Sequence, residues 1–424
     1  MNDQHQHELD IWTRALNLPE YEVVHYAERE GVRHFSIVPT CVIAVCPDCS
    51  KPCDRWHQKR WVKDIVDLPL GDQPVRLKVR VFQFDCWHCG RIWTPKSLLF
   101  TPGMGAKATG RFVERTAELI ERADISGVAA FYDTPRKTLE RWYYEWLECS
   151  TELSEEEAAQ PIRSLGVDEL SLKKKHGQYV AAIIDHTNQR VLEVLERRTK
   201  EEVKAYFQRE LESGLLAEVE EVTTDMWEAY GNAAREVFGD EVRITIDRFH
   251  VMKNLQDRLT KARREIQREL PEAAREALKG SRWLWLKNDE SLTPKEARTL
   301  EKLCRDYPRL GQLREQRERL RAIFEDGDLN TASKGRRELK GWIAEARSLD
   351  LKALNAFCET LENWIDGIAN YFVTRSSNGP TEGFNNGLRS ILSRAFGMQN
   401  FKNFRARVLH LFGKPKPQES PSLA

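Results

Sequence analysis

The hydrophobic pattern of this chain changes period several times, and the changes divide it. Val75-Arg-Leu-Lys-Val-Arg-Val-Phe-Gln-Phe84 alternates almost perfectly, which predicts a strand with an apolar face inward and Arg76, Lys78 and Arg80 outward. Residues 107–148 switch to helical spacing. A first helix is expected from Thr109 to Ala123, with Phe112, Val113, Leu119 and Ile120 on its stripe, and a second from Ile125 to Phe131. After the turn at Asp133-Thr134, Thr134 is a good N-cap and Pro135 suits the first position of a third helix ending at Leu147. Leu139, Trp142 or Tyr143, and Trp146 would face its core. From Arg163 to His250 strand and helix patterns alternate. Ser164–Glu169, Gln178–Ile184 and Arg190–Leu195 predict an antiparallel meander. A helix over 200–213, a strand Glu221–Asp225, a helix Glu228–Phe238 and a strand Val242–Ile246 follow.

These textures give the expected domains. Residues 1–100 form a small β-rich module, 101–150 a trihelical one, and 161–250 the first part of an α/β core. Residues 251–370, charged and helical in period, form an insertion; 371–413 return to the core as a helix after the turn Ser376-Ser-Asn-Gly-Pro380; and 414–424 form a Pro-rich tail expected to fray. No internal repeat is present.

Composition narrows the function classes. Hydrophobic residues make up 41% and charged residues 31%, as in a globular protein. No apolar run of spanning length occurs, and the polar N-terminus lacks a signal-peptide core, so an intracellular protein is expected. The 66 basic and 66 acidic residues cancel, which argues against non-specific coating of nucleic acid but leaves room for local basic patches. No Walker A pattern supports ATP dependence.

Of nine cysteines, Cys41, Cys46, Cys49, Cys53, Cys86 and Cys89 lie in the β-rich module. Cys46-Pro-Asp-Cys49 and Cys86-Trp-His-Cys89 are two CxxC turns, the donor set of a tetrahedral structural Zn²⁺. Cys53, His57 and His88 are spare donors able to replace a ligand. A zinc ribbon is therefore expected over residues 1–100. In the trihelical module Arg136, Lys137 and Arg141 remain outward on the third helix, the layout of a helix-turn-helix reading the DNA major groove. The alternative is an ordinary three-helix bundle with a solvated basic face.

The acids carry the strongest signal. An apolar strand that ends in a buried carboxylate is costly unless the charge meets a metal or a cation, and Asp168, Asp225 and Asp247 each end one. Three strands, then helix, strand, helix, strand, is the order of an RNase H-like mixed sheet, in which the first and fourth strands lie side by side and bring Asp168 and Asp225 together. Glu382, opening a later helix, would supply a third acid for two divalent ions. Asp247 could ligate metal, orient His250 or pair with Arg248. Glu169 should point to the other strand face, and Asp185 suits a local turn.

Gly166-Val-Asp-Glu169, Thr224-Asp225, Ile246-Asp-Arg-Phe-His250 and Asn378-Gly-Pro-Thr-Glu382, together with the CxxC pairs and the trihelical module, resemble DDE transposases of bacterial insertion sequences, specifically the ISL3 type. The resemblance covers nearly the whole chain. It implies that Asp168, Asp225 and Glu382 hold two Mg²⁺ (or Mn²⁺) ions, with Asp247 and His250 beside them. It also implies cleavage at terminal inverted repeats, strand transfer into target DNA, a homodimer or larger assembly on DNA, and a site of action at the nucleoid of the bacterial cytoplasm.

Two further features are ambiguous in sequence. Trp283 and Trp285, in an aromatic and basic stretch of the insertion, suit either a stacking contact with an extruded base or a core. Arg375, Arg389, Arg394, Lys402, Arg405 and Arg407 flank Glu382 and suit phosphate clamping, Arg389 and Arg394 above all. The rival function is a non-catalytic zinc-ribbon and helix-turn-helix DNA-binding regulator, which differs only at the acids. A tyrosine recombinase would have no need of Asp168.

Overall fold

The computed structural model describes residues 3–95, 107–150, 153–173, 178–376, 379–394 and 400–415. The chain divides into two compact units, Met1–Glu152 with Ile391–His410, and Leu153–Ser390 with Leu411–Ala424.

The first unit opens with α1 (Asp3–Leu16), whose Leu9, Trp12 and Leu16 pack on a sheet. That sheet contains β1 (Tyr21–Arg29) and β2 (Val32–Pro39), an antiparallel hairpin. Glu30 and Gly31 both take positive φ at its turn, 51° and 74°, the backbone a tight hairpin requires. Next come the short β3 (Ala44–Val45) and β4 (Pro52–Cys53), which pair with each other. The long β5 (Trp56–Leu70) and β6 (Gln73–Asp85) are antiparallel, and β7 (Ile92–Trp93) adds to β6. The order is β1-β2-β6-β5, with β2 parallel to β6. β6 realises the alternation read from the sequence, with Val75, Leu77 and Val79 buried and Arg76, Lys78 and Arg80 part-exposed.

Helices α2 (Gly110–Ile120), α3 (Ile125–Phe131) and α4 (Arg136–Ser150) form the trihelical module around Phe112, Val113, Ile120, Leu139, Trp142 and Tyr143. Thr109 and Asp124 cap the first two, accepting from the Phe112 and Gly127 amides. The third starts one residue later than expected: the Pro135 carbonyl accepts from the Thr138 and Leu139 amides, and the Thr134 hydroxyl donates back to the Tyr132 carbonyl. Asp67, 2% exposed, welds sheet to helix by accepting from Thr109 and Arg111.

The second unit begins with α5 (Glu155–Ala158) and a mixed sheet. Its strands are β8 (Ser164–Lys173), β9 (Gln178–Asp185), β10 (Arg190–Leu195), β11 (Glu221–Thr224) and β12 (Arg243–Ile246), in the order β10-β9-β8-β11-β12. The first three are an antiparallel meander, while β8, β11 and β12 run parallel. Helices α6 (Lys200–Glu212) and α7 (Glu228–Phe238) bury Phe207, Tyr230 and Ala234 with Leu165, Val167 and Val222 of the sheet.

A helical array follows: α8 (Arg248–Glu269), α9 (Glu272–Ala277), α10 (Arg282–Leu286), α11 (Pro294–Asp306), α12 (Pro308–Glu325), α13 (Ala332–Ser348), α14 (Lys352–Asn363) and α15 (Ile365–Thr374). It has its own apolar core around Leu320, Phe324, Trp342, Phe357 and Phe372. Gly335 lets α13 approach α15, since a methyl there would stand 2.0 Å from the Phe372 ring. Last are α16 (Gly379–Arg394) and α17 (Phe401–Phe412). The boundary between the units crosses both helices, and Phe404 and Val408 of α17 are buried in the first unit. No described helix is long and apolar enough to cross a membrane.

Candidate functional site

Register brings the acids together. Thr224 of β11 lies opposite Val167 of β8 and Ile246 of β12. The next residue along each is therefore Asp225, Asp168 and Asp247, side by side across three neighbouring parallel strands. Asp225 and Asp247 directly follow β11 and β12, whereas β8, expected to end at its acid, runs on to Lys173. The carboxyl ends of parallel strands are where open α/β sheets generally place their ligands.

The local environment crowds negative charge. Burial, reinforced by Asp225 and Asp247, pushes the Asp168 carboxyl up to about 6 against the opposing pull of His250 and the Glu169 amide. Burial likewise raises Asp225, whose Oδ1 is buried without a hydrogen-bond partner. His250 Nε2 stands 4.0 Å from both Asp168 Oδ1 and Asp247 Oδ2. Asp247 also caps α8, accepting from the Phe249 amide at 3.2 Å.

Two side chains that the sequence reading passed over complete this end of the sheet. Asn385 of α16, 2% exposed, donates from Nδ2 to Asp168 Oδ2 at 2.7 Å, and its Oδ1 is buried without a partner. The Tyr230 hydroxyl is also buried and unpartnered, and burial with the nearby acids keeps it protonated. Glu382 occupies α16 three residues before Asn385; the placement of its carboxylate lies outside the described residues.

α16 is seated by a packed trio. The His186 ring nitrogen meets the Thr381 hydroxyl at 2.8 Å, and both press on Gly166. A methyl at Gly166 would lie 2.2 Å from His186 Nε2 and 2.6 Å from Thr381 Oγ1. Burial lowers His186 to about 4, so this ring is neutral at physiological pH.

The donor set fits a divalent cation. The acids supply hard oxygen ligands, one carboxylate oxygen is buried with nothing to bond to, and ionising neighbouring acids together calls for a counter-charge. Other acids nearby are structural. Asp185 is fully buried and accepts from Asn188 and Arg190, and Glu169 pairs with Arg198.

The four thiols of Cys46, Cys49, Cys86 and Cys89 lie within 4.8 Å of one another. Cys46–Cys89 and Cys49–Cys86 are each 3.6 Å apart. A tetrahedral zinc site with Zn–S bonds of about 2.3 Å has sulfur–sulfur edges of roughly 3.8 Å, so the cluster matches one. The two knuckles share one construction. Ser50 and Gly90, at φ 58° and 76°, return their amides to the Cys46 and Cys86 carbonyls. Cys53 is buried but bonds the Lys51 carbonyl, and His57 and His88 are exposed, so none of the three spare donors joins the cluster.

The basic residues fall into two groups. Arg136, Lys137 and Arg141 are exposed on α4, with only loose contacts of 3.9 Å and 3.8 Å from the two arginines to Glu140 and Glu145. Arg389 is exposed and bonds Asn386, and Arg394 donates to the Glu121 carbonyl. The phosphate-clamp expectation gives way at two positions. Arg375 closes the α15 terminus by donating to the Phe324 and Leu329 carbonyls, and Arg407 is buried beside Tyr143 and Tyr144. In the insertion, Trp285 is a core residue, 6% exposed, bonding Ser281, whereas Trp283 is 66% exposed.

A family model for ISL3-type DDE transposases, described as a transposase family, matches residues 165–408. The chain is 25% identical over 398 residues to the transposase for insertion sequence element IS1001 of Bordetella parapertussis, covering 92% of this chain and 94% of that protein. It is 23% identical over 262 residues to the transposase for insertion sequence element IS1557 of Mycobacterium tuberculosis, covering 56% of this chain and 57% of that protein.

Proposed function

The chain belongs to the ISL3 family of DDE transposases, and on that premise we propose that it cuts DNA at the terminal repeats of an insertion sequence and joins the freed ends to target DNA. The observation that carries this reading is the row Asp168, Asp225 and Asp247, in register across three adjacent parallel strands, with an unsatisfied buried oxygen on Asp225. Strand order and direction support an RNase H-like core, interrupted between β12 and α16 by the helical insertion. Asp168, Asp225 and Glu382 are the metal ligands in this proposal. Bound there, two Mg²⁺ or Mn²⁺ ions would supply Lewis acidity and charge neutralisation for in-line phosphoryl transfer.

The chain's own residues prepare that chemistry. The Glu169 amide and Asn385 each donate to one oxygen of Asp168, fixing the plane of its carboxylate. Asp225 keeps an oxygen free of any donor. His250 Nε2 reaches towards both Asp168 and Asp247, 4.0 Å from an oxygen of each. In the first unit a structural Zn²⁺ on the four cysteines holds the two knuckles, and α4 reads duplex DNA through Arg136, Lys137 and Arg141. Pairing two element ends calls for at least a dimer, and the work is done on DNA in the bacterial cytoplasm.

The test is cleavage of supercoiled plasmid carrying the element ends, with Mg²⁺, by the wild type and by Asp168→Ala, Asp225→Ala and Glu382→Ala. Metal-dependent cleavage that all three variants lose, while still binding the ends, is the expected result. A wild type that binds but never cuts would point instead to a regulator.

A further inference from the structure

We propose that the outer face of the N-terminal sheet is a second DNA-contacting surface, one that tracks duplex phosphates while the helix-turn-helix reads bases. The proposal rests on the transposase reading for its DNA and adds a site that the helix-turn-helix does not include.

Register defines the face. Arg76 lies opposite His34, Lys78 opposite Ser36, and Arg80 opposite Trp61. On the outer strand, His25 and Ala27 lie opposite Ser36 and His34. One open groove is lined by these positions except Arg80, which lies beyond it, together with Arg29 and Lys63. The other face of the sheet is covered by α1, and there Arg33 stacks on Trp12.

Charge and shape then select the partner. Arg29, Lys63, Arg76, Lys78 and Arg80 form no ion pair with any described residue, whereas Arg55, Arg91 and Arg111 of the same unit all do. The groove holds one acid, Asp64, in a chain whose formal charge is zero. Unpaired like charges held this close repel one another and are relieved by a polyanion. Arg76, Lys78 and Arg80 recur at every second residue of β6, about 6.6 Å apart, close to the spacing of successive phosphates on a nucleic-acid strand. Trp61 lies under Lys78 and Arg80, at 4.8 Å and 4.1 Å from its ring, which fixes the two cations rather than leaving them to swing. Protein interfaces need an apolar centre. Of the large apolar residues lining the groove, Phe35 and Leu77 are buried, Val24 is exposed, and the Trp61 ring already lies against two cations.

The surface is rigidly joined to the helix-turn-helix. The Val66 amide bonds the Lys107 carbonyl and the Thr109 amide bonds the Val66 carbonyl, both at 2.9 Å, and the buried Asp67 holds Arg111. A duplex gripped by the sheet is thereby held in fixed register with α2.

The experiment measures affinity of the full-length, zinc-loaded protein for a terminal-repeat duplex and for a scrambled duplex across a salt series. Each phosphate contact contributes about 0.9 to the slope of log K against log salt. Arg76→Gln, Lys78→Gln and Arg80→Gln combined should flatten the slope by roughly 2 to 3 and weaken both duplexes equally. Arg136→Gln, Lys137→Gln and Arg141→Gln combined should chiefly erase the preference for the terminal repeat. Should the first variant melt below the wild type, the exposed rim pair Arg29→Glu and Lys63→Glu decides in its place. An unchanged slope in a normally folded sheet variant overturns the proposal. Failure of the wild type to cut element ends overturns the transposase reading instead, and does so in a separate assay.

Discussion

Asp168 carries a cost that the proposed metal site would explain. In the folded, metal-free chain its carboxyl holds a proton up to about pH 6, whereas in the unfolded chain an Asp loses it near pH 4. The folded state therefore binds more protons between those values, and its stability falls as pH rises through that window. Asp168→Asn removes the ionisation. It should abolish cleavage yet raise the melting temperature of the metal-free protein at pH 7 by a few degrees, roughly 1–3 kcal/mol, with no gain below pH 4. Calorimetry at both pH values checks this, and a lower melting temperature at pH 7 would sink the burial argument. Asn385 is the complementary case. Asn385→Leu leaves Asp168 Oδ2 without its donor, and a hydrogen bond to a charged group is worth about 1.5–3 kcal/mol. Cleavage should fall roughly 10- to 100-fold, with the Mg²⁺ dependence shifted to higher concentration; an unshifted metal curve would mean that Asn385 does not orient the acid. The acids were legible because each follows a short apolar run of strand character, although β8 continues past Asp168 to Lys173. Asn385 was not, because an Asn on an amphipathic helix reads as surface until the helix is known to lie against β8.

At the scale of elements, local chemistry predicted best where the constraint is local. The CxxC turns and the β6 alternation each depend on residues a few positions apart, and each stands where expected. α1 escaped notice because Leu9, Trp12 and Leu16 are its only large core contacts in a polar segment. The seat of α16 escaped for a different reason: Gly166, His186 and Thr381 come from three separate elements and meet only in the fold. Gly166→Ala tests that seat. Its new methyl would lie inside the van der Waals radii of His186 and Thr381, and overpacking of this kind costs typically 1–3 kcal/mol. The variant should melt several degrees lower and lose cleavage while binding DNA normally. A wild-type melting curve would show that α16 does not pack on β8 as described.

At the scale of the molecule, the two proposed metal sites lie in different units, so they should respond separately. The four cysteines belong to the first unit and the row of acids to the second. A thiol-directed chelator should release one zinc per chain and lower only the transition of the first unit, while Mg²⁺ should raise only that of the second. The chain nevertheless ties the two units together, because Ile391–His410 returns to the first unit after the second has been built. There Phe404 and Val408 are buried, Ala406 packs on the trihelical core, and His410 meets Glu121 at 2.7 Å. Ending the chain at Ser390 would thus strip apolar cover from the trihelical module, more than two hundred residues away in sequence. Losing the burial of Phe404 and Val408 alone removes roughly 3–6 kcal/mol of apolar stabilisation, a large fraction of an ordinary domain's stability. The truncated protein should therefore lose DNA binding together with cleavage, and the transition of its first unit should fall well below that of the full chain. Retained binding with cleavage alone lost would assign Ile391–His410 to catalysis instead. The comparison separates a C-terminal segment that completes the DNA-binding unit from one that merely extends the catalytic helix.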